Sequence, residues 1–121
     1  MTQINIKRVY EDYDENDGYR VLIDKLWPRG VKKEHLKLDM WAKDIAPSTQ
    51  LREWYHEDMR DHWNEFKNNY LHELADSESV KDFLKQIRGK KTVTLLYAAK
   101  DIEYNHAIIL KSYLEQHIRP I

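Results

Sequence analysis

Arg20-Val21-Leu22-Ile23-Asp24-Lys25-Leu26 runs directly into Trp27-Pro28-Arg29-Gly30, and this stretch decides the fold class. A nearly continuous run of β-branched and leucine side chains reads as a strand covered on both faces. Parallel sheets in α/β proteins require strands of that kind. Pro28 has no N–H to give a ladder and Gly30 tolerates positive φ, so the strand is expected to stop and turn there. Working outward, Thr92-Val93-Thr94-Leu95-Leu96-Tyr97-Ala98 is a second apolar run. Residues 4–10 alternate, with Ile4, Ile6, Arg8 and Tyr10 on one face, and read as a third strand.

The segments between these strands carry a helical period. Trp63, Phe66, Tyr70 and Leu74 form one stripe over residues 61–74. Ser77 or Ser79 is expected to cap a helix bearing Val80, Phe83, Leu84 and Ile87, with Gly89 at its C′ position. After Pro47, Ser48 or Thr49 caps a short helix through Trp54. Residues 105–117 form the last helix, turning Ala107, Leu110, Tyr113 and Leu114 inward. Residues 36–46 fit two patterns: Leu38, Met40 and Ala42 alternate, whereas Leu38, Trp41 and Ile45 lie at helical spacing. The acidic stretch 11–17, closed by Gly18, reads as a solvated loop. Strands separated by helices need crossover connections. The expected fold is therefore one small layered α/β domain over residues 1–121, a partly parallel sheet of few strands flanked by helices.

Composition narrows the function classes. At 121 residues the chain has room for one core. Its 20 basic and 21 acidic residues nearly cancel, to a net charge of −1. Nucleic-acid binders usually need a basic excess for phosphate neutralisation, so no nucleic acid is expected as partner. The absence of cysteine excludes disulfides, a thiolate nucleophile and zinc sites built on Cys. Residues 1–7 lack an apolar signal region and no apolar run approaches membrane length, so a cytoplasmic protein without membrane contact is expected.

Chemistry is expected where parallel strands end, the usual ligand position in open α/β sheets. Two polar segments leave strands there: Asp24 to Gly30, and Tyr97-Ala98-Ala99-Lys100-Asp101 with Asn105-His106 opening the last helix. Asp24 lies inside an apolar run and needs a partner, for which Arg8 and Arg29 are the nearest candidates. A structural ion pair and a site carboxylate are equally consistent with it. Arg29 sits on a turn where a guanidinium can be held for a carboxylate or phosphate. Trp27 reads as core more readily than as a stacking surface. His106 falls in the first turn of its helix, where the dipole favours neutral imidazole and free N–H groups favour an anion. It is the candidate general acid or base, with Asp24 or Asp101 orienting it and Arg8, Arg29 and Lys100 drawing in an anion. A solvent or capping histidine is the plainer alternative. Tyr97 can bring a hydroxyl to the same rim, or simply be buried. The histidines show no metal-binding spacing, and three glycines are too few for a phosphate loop.

Together these residues resemble a family. Lys7-Arg8-Val9-Tyr10, Gly18-Tyr19-Arg20-Val21-Leu22-Ile23-Asp24-Lys25-Leu26-Trp27-Pro28-Arg29-Gly30, Ile45-Ala46-Pro47-Ser48 with Leu51-Arg52 and Trp54, the Trp63/Phe66/Tyr70 helix, and Thr94-Leu95-Leu96-Tyr97-Ala98-Ala99-Lys100-Asp101 with Asn105-His106-Ala107 are similar to the YeaO-like branch of a bacterial and archaeal DUF488-type family of unknown function. Lys25 departs from it, standing where related sequences often carry Arg. The resemblance implies a small stand-alone cytoplasmic α/β protein with no established reaction and no known cofactor. It places Arg8, Asp24, Trp27, Arg29, Lys100, Asp101, Asn105 and His106 in family motif segments without giving any a role.

Three functions fit. The first is a site for a small anionic ligand, catalytic or binding only, and whether a reaction occurs is left open. The second is a mononuclear metal site using His106 with Tyr97 or an aspartate. The third is an interaction module, such as a homodimer, using an exposed region at Trp41, Trp54 and Tyr55.

Overall fold

Four strands pair side by side among the described residues: β1 (Gln3–Arg8), β2 (Tyr19–Leu22), β3 (Met40–Trp41) and β4 (Thr92–Tyr97). This computed structural model describes residues 2–118; residue 1 and residues 119–121 of the expected domain lie outside the described residues. The spatial order is β1-β4-β2-β3, and every pairing is parallel rather than only part of the sheet. Arg8 pairs with Tyr97 and Leu22 with Leu96, so the carboxyl ends of β1, β4 and β2 come out on one edge.

The crossovers hold the helices, as parallel pairing demands. One turn, α1 (Lys33–Leu36), lies between β2 and β3. Three helices, α2 (Thr49–Glu57), α3 (Met59–Asp76) and α4 (Glu78–Ile87), separate β3 from β4, and α5 (His106–His117) follows β4. Their starts follow the sequence: Ser48, Ser77 and Asn105 each accept a backbone N–H of the first turn. Gly89 stands just past the Arg88 C-cap of α4, but is not among the positive-φ glycines, so that helix ends without a left-handed cap.

Alternation in the strands divides the interior. Val21, Ile23, Val93 and Leu95 join the larger core with Phe66, Tyr70, Leu74, Phe83 and the inner face of α5. Leu22 and Leu96 face the other way, into a smaller cluster with Val9 and Leu36 that Trp27 and Trp41 cover. Each fully buried side chain of this size contributes about 1.5–3 kcal/mol.

Several expectations need correction. The strand expected over residues 20–26 ends at Leu22, because the chain bends to carry Asp24 toward α5. Residues 36–46 resolve as the end of α1, strand β3 and a 3-10 turn (Lys43–Ile45), so the alternating pattern prevails only at Met40–Trp41. The acidic loop is not solvated throughout. Asp17 is buried in an ion pair with Arg20, a residue only 1% exposed. Arg20 also donates Nε and Nη2 to the Leu36 carbonyl at 3.0 and 2.8 Å, and Lys7 reaches Asp17 at 3.1 Å. Gly18, at φ 66°, passes so close to Thr92 that a side chain would meet the Thr92 carbonyl oxygen. Tyr113 is only partly buried, and the expected aromatic surface is absent: Tyr55 is 3% exposed and Trp41 and Trp54 are half-buried.

Candidate functional site

The carboxyl ends of the strands surround a cavity of about 330 Å3. Its walls come from the loop after β2, the loop between β4 and α5, the first turn of α5, and α2. Asp24, Trp27, Arg29, Asn105 and His106 all line it.

Asp24 and His106 form the centre. Asp24 Oδ2 accepts the Ala98 N–H at 2.9 Å. Asp24 Oδ1 lies 3.4 Å from His106 Nε2, which is also 3.0 Å from the Ile23 carbonyl oxygen. A carbonyl only accepts, so Nε2 carries the proton and donates it there. The partner of Asp24 is therefore His106 and not Arg8 or Arg29. Burial raises Asp24 above the usual carboxylate range, against the pull of His106, the Ala98 N–H and Arg52. Burial likewise lowers His106 below the usual imidazole value, against the opposite pull of Asp24 and the Ile23 carbonyl. Both groups are thus biased toward their neutral forms.

The surrounding loops are fixed from within. Asn105 caps α5 through Oδ1 on the Ile108 N–H and donates Nδ2 to the Asp101 carbonyl at 2.8 Å. Asp101 accepts the N–H groups of Tyr104 and Glu103, which hold its carboxyl below the usual range. Trp27 Nε1 donates to the Val31 carbonyl at 2.7 Å, and Trp41 Nε1 to that of Asp24 at 2.7 Å, so both indoles brace the loop after β2.

Four of the residues expected at the site are not among the described lining residues. Arg8 donates Nε to the Ala99 carbonyl at 2.9 Å and Nη2 to that of Ala98 at 3.2 Å, and so ties β1 to the exit of β4. Tyr97 is core, its hydroxyl pushed up by burial. Lys100 is exposed, and Asp101 shapes its own loop. In their place α2 contributes Arg52 and His56, four residues and one turn apart. The readable signal was that i, i+4 polar pair beside the apolar pair Leu51 and Tyr55. Arg52 Nε is buried and has no hydrogen-bond partner among the described residues. Burial lowers His56, helped by Arg52 and His106.

Three basic side chains, Lys25, Arg29 and Arg52, thus line the cavity with one acid, Asp24, whose charged form burial disfavours. Among the described residues no three His, Asp or Glu side chains group as metal ligands. None of the described helices is long and apolar enough to cross a membrane.

A parallel four-stranded sheet flanked by helices, with a cavity at its strand ends, defines a small α/β domain. Over residues 3–120 the chain matches the model of the family described as the inactive DUF488-N3 subclade, and it belongs to that family. Uncharacterised protein YeaO of Escherichia coli (strain K12) is 47% identical over 111 residues, covering 92% of this chain and 96% of that protein. Uncharacterised protein Rv3073c of Mycobacterium tuberculosis (strain ATCC 25618 / H37Rv) is 40% identical over 113 residues, covering 93% and 94%. The YeaO-like resemblance is thereby established. No solved structure matches the chain.

Proposed function

We propose that the protein binds a small anionic ligand in the strand-end cavity and does not turn it over. The observation that carries this reading is the excess of Lys25, Arg29 and Arg52 over a single acid already engaged by the Ala98 N–H and His106. Cations converging in a partly enclosed cavity act at lower effective dielectric and favour an anion there.

Binding without turnover draws support from three features. The family carries the description "inactive". The described lining residues include no Ser, Thr or Cys nucleophile. His106, the candidate acid or base, has its Nε2 proton engaged by the Ile23 carbonyl, and Asp101 lies outside the wall. Were a reaction catalysed, His106 and Asp24 would be the pair to move the proton. A cysteine-free chain suits the reducing cytoplasm as its compartment.

The test is thermal shift of the purified protein against inorganic phosphate, sulfate and small carboxylates. Ligand at 100 times its dissociation constant adds about 2.7 kcal/mol of stability. The expected result is a raised midpoint with anions, lost in Arg52→Gln or Arg29→Ala. A panel without any anion-dependent shift would sink the reading.

A second reading is a partner surface on the loops that follow the strands. Tyr10, Leu26 and Ile102 are among the few exposed large hydrophobics, and they follow β1, β2 and β4. A homodimer joined there would appear in light scattering and be weakened by Leu26→Asp.

A further inference from the structure

The cavity is rich in rings as well as cations. Five of its nineteen lining residues are aromatic, whereas 12% of the whole chain is. The rings are held before any ligand arrives. Tyr55 stacks on Phe66 with centroids 3.9 Å apart, and its hydroxyl donates to the Tyr104 carbonyl at 2.7 Å. Tyr104 meets the edge of Trp63 at 5.4 Å. A wall fixed this way loses little side-chain freedom on binding, and it favours a flat partner that offers a π face.

Beside this wall stands the buried Nε–H of Arg52. Buried donors without an acceptor are rare, because leaving one unpaired costs about 1–3 kcal/mol. The charge of Arg52 reaches both Asp24 and His56, so its guanidinium belongs to the polar side of the cavity. An anionic oxygen bonded to Nε would remove the penalty and, through the planar fork, fix the direction of the ligand. A volume of about 330 Å3 is near the lower end for ligand cavities, which limits the occupant to a compact molecule.

We propose that the ligand is a compact aromatic acid or aromatic phosphate ester, its anionic oxygens on Arg52 and its ring against Tyr104, which Tyr55 and Trp63 hold in place. This rests on the anion-site reading and adds the ring to it. Arg52 is then the residue that sets ligand orientation, while Arg29, exposed at the mouth, supplies charge without geometry.

The test is calorimetric titration of the full chain with phenyl phosphate, n-butyl phosphate, inorganic phosphate, benzoate and cyclohexanecarboxylate. Phenyl phosphate is expected to bind at least tenfold tighter than n-butyl or inorganic phosphate, or benzoate at least tenfold tighter than cyclohexanecarboxylate. Whichever aromatic probe wins identifies the anion as phosphate or carboxylate. Arg52→Gln and Arg52→Lys should each lose that tenfold preference, the lysine variant because it keeps the charge but lacks Nε. Circular dichroism and the unliganded melting midpoint establish that each variant is folded. Equal affinity for ring and non-ring anions overturns this inference and leaves the anion site standing. Binding by none of the probes overturns both. Retention of the ring preference in a folded Arg52→Lys protein overturns the role given to Arg52.

Discussion

Asp24 and His106 meet across the sheet edge with Oδ1 and Nε2 3.4 Å apart, and each is also held by a backbone group of the neighbouring segment. The pair joins the exit of β2, the exit of β4 and the start of α5. Removing one partner therefore affects loop geometry as well as charge. Asp24→Ala strands the Ala98 N–H, and a stranded buried donor costs about 1–3 kcal/mol. Asp24→Asn keeps an acceptor for that N–H and should lose less than half as much in urea denaturation. Equal losses in the two variants would show that the charge, not the hydrogen bond, does the holding.

The same pair sets an acid dependence. His106 titrates below its ordinary value of 6.5 because it is buried. In the unfolded chain it protonates first as pH falls, so stability is lost as pH drops below 6.5 toward the folded value. The slope is at most about 1.4 kcal/mol per pH unit for one proton. His56, also lowered by burial, acts in the same direction. Asp24 acts oppositely, since a raised carboxyl contributes stability below 3.8 that is lost as pH rises through its folded value. Melting curves should show the advantage of wild type over His106→Gln shrinking from pH 7.5 to 5.5. An advantage constant with pH would remove His106 from the account.

At the opposite end of the strands, Asp17 neutralises Arg20, which is 1% exposed. Asp17→Ala leaves that guanidinium buried with the Leu36 carbonyl and the Tyr13 ring but no counter-charge from Asp17, and such losses reach about 3–5 kcal/mol. Burial pushes the Asp17 carboxyl up, but Lys7, the Asp14 N–H and Arg20 outweigh it and the net position is low. Its contribution is present above pH 3.8 and lost as pH falls through the folded value. Chemical denaturation at pH 7 and pH 3 should show a gap between wild type and Asp17→Ala that narrows in acid. Replacing both residues, as Asp17→Leu with Arg20→Met, should be milder than Asp17→Ala alone.

Two glycines with positive φ should respond differently to alanine. Gly18→Ala meets the Thr92 carbonyl, whereas Gly30→Ala at φ 76° meets nothing within 4 Å. Gly30→Ala should cost about 1 kcal/mol from backbone strain alone. Gly18→Ala should cost clearly more, because β4 has to move. Comparing the two midpoints in urea checks the difference, and similar shifts would contradict the close approach.

Much of the fold was legible in the chain by itself. The apolar run beginning at Arg20 and that of residues 92–98 declared parallel strands, since only strands covered on both faces dispense with polar alternation. The caps at Ser48 and Ser77 were readable because capping depends on residues two or three apart. The placement of His106 on the first turn of the last helix followed from the same local chemistry. Tertiary structure alone decided which polar groups share the cavity. The order β1-β4-β2-β3 brings the loop at Ile23 against a histidine 83 positions later. That meeting gives Asp24 its imidazole, while the carbonyls of Ala98 and Ala99 claim Arg8. Arg52 and His56 enter because α2 packs across the strand ends, a placement no local pattern encodes. Periodicity within a segment fixes which face is apolar, but the partner of a polar side chain is whichever donor or acceptor the packed chain brings nearest.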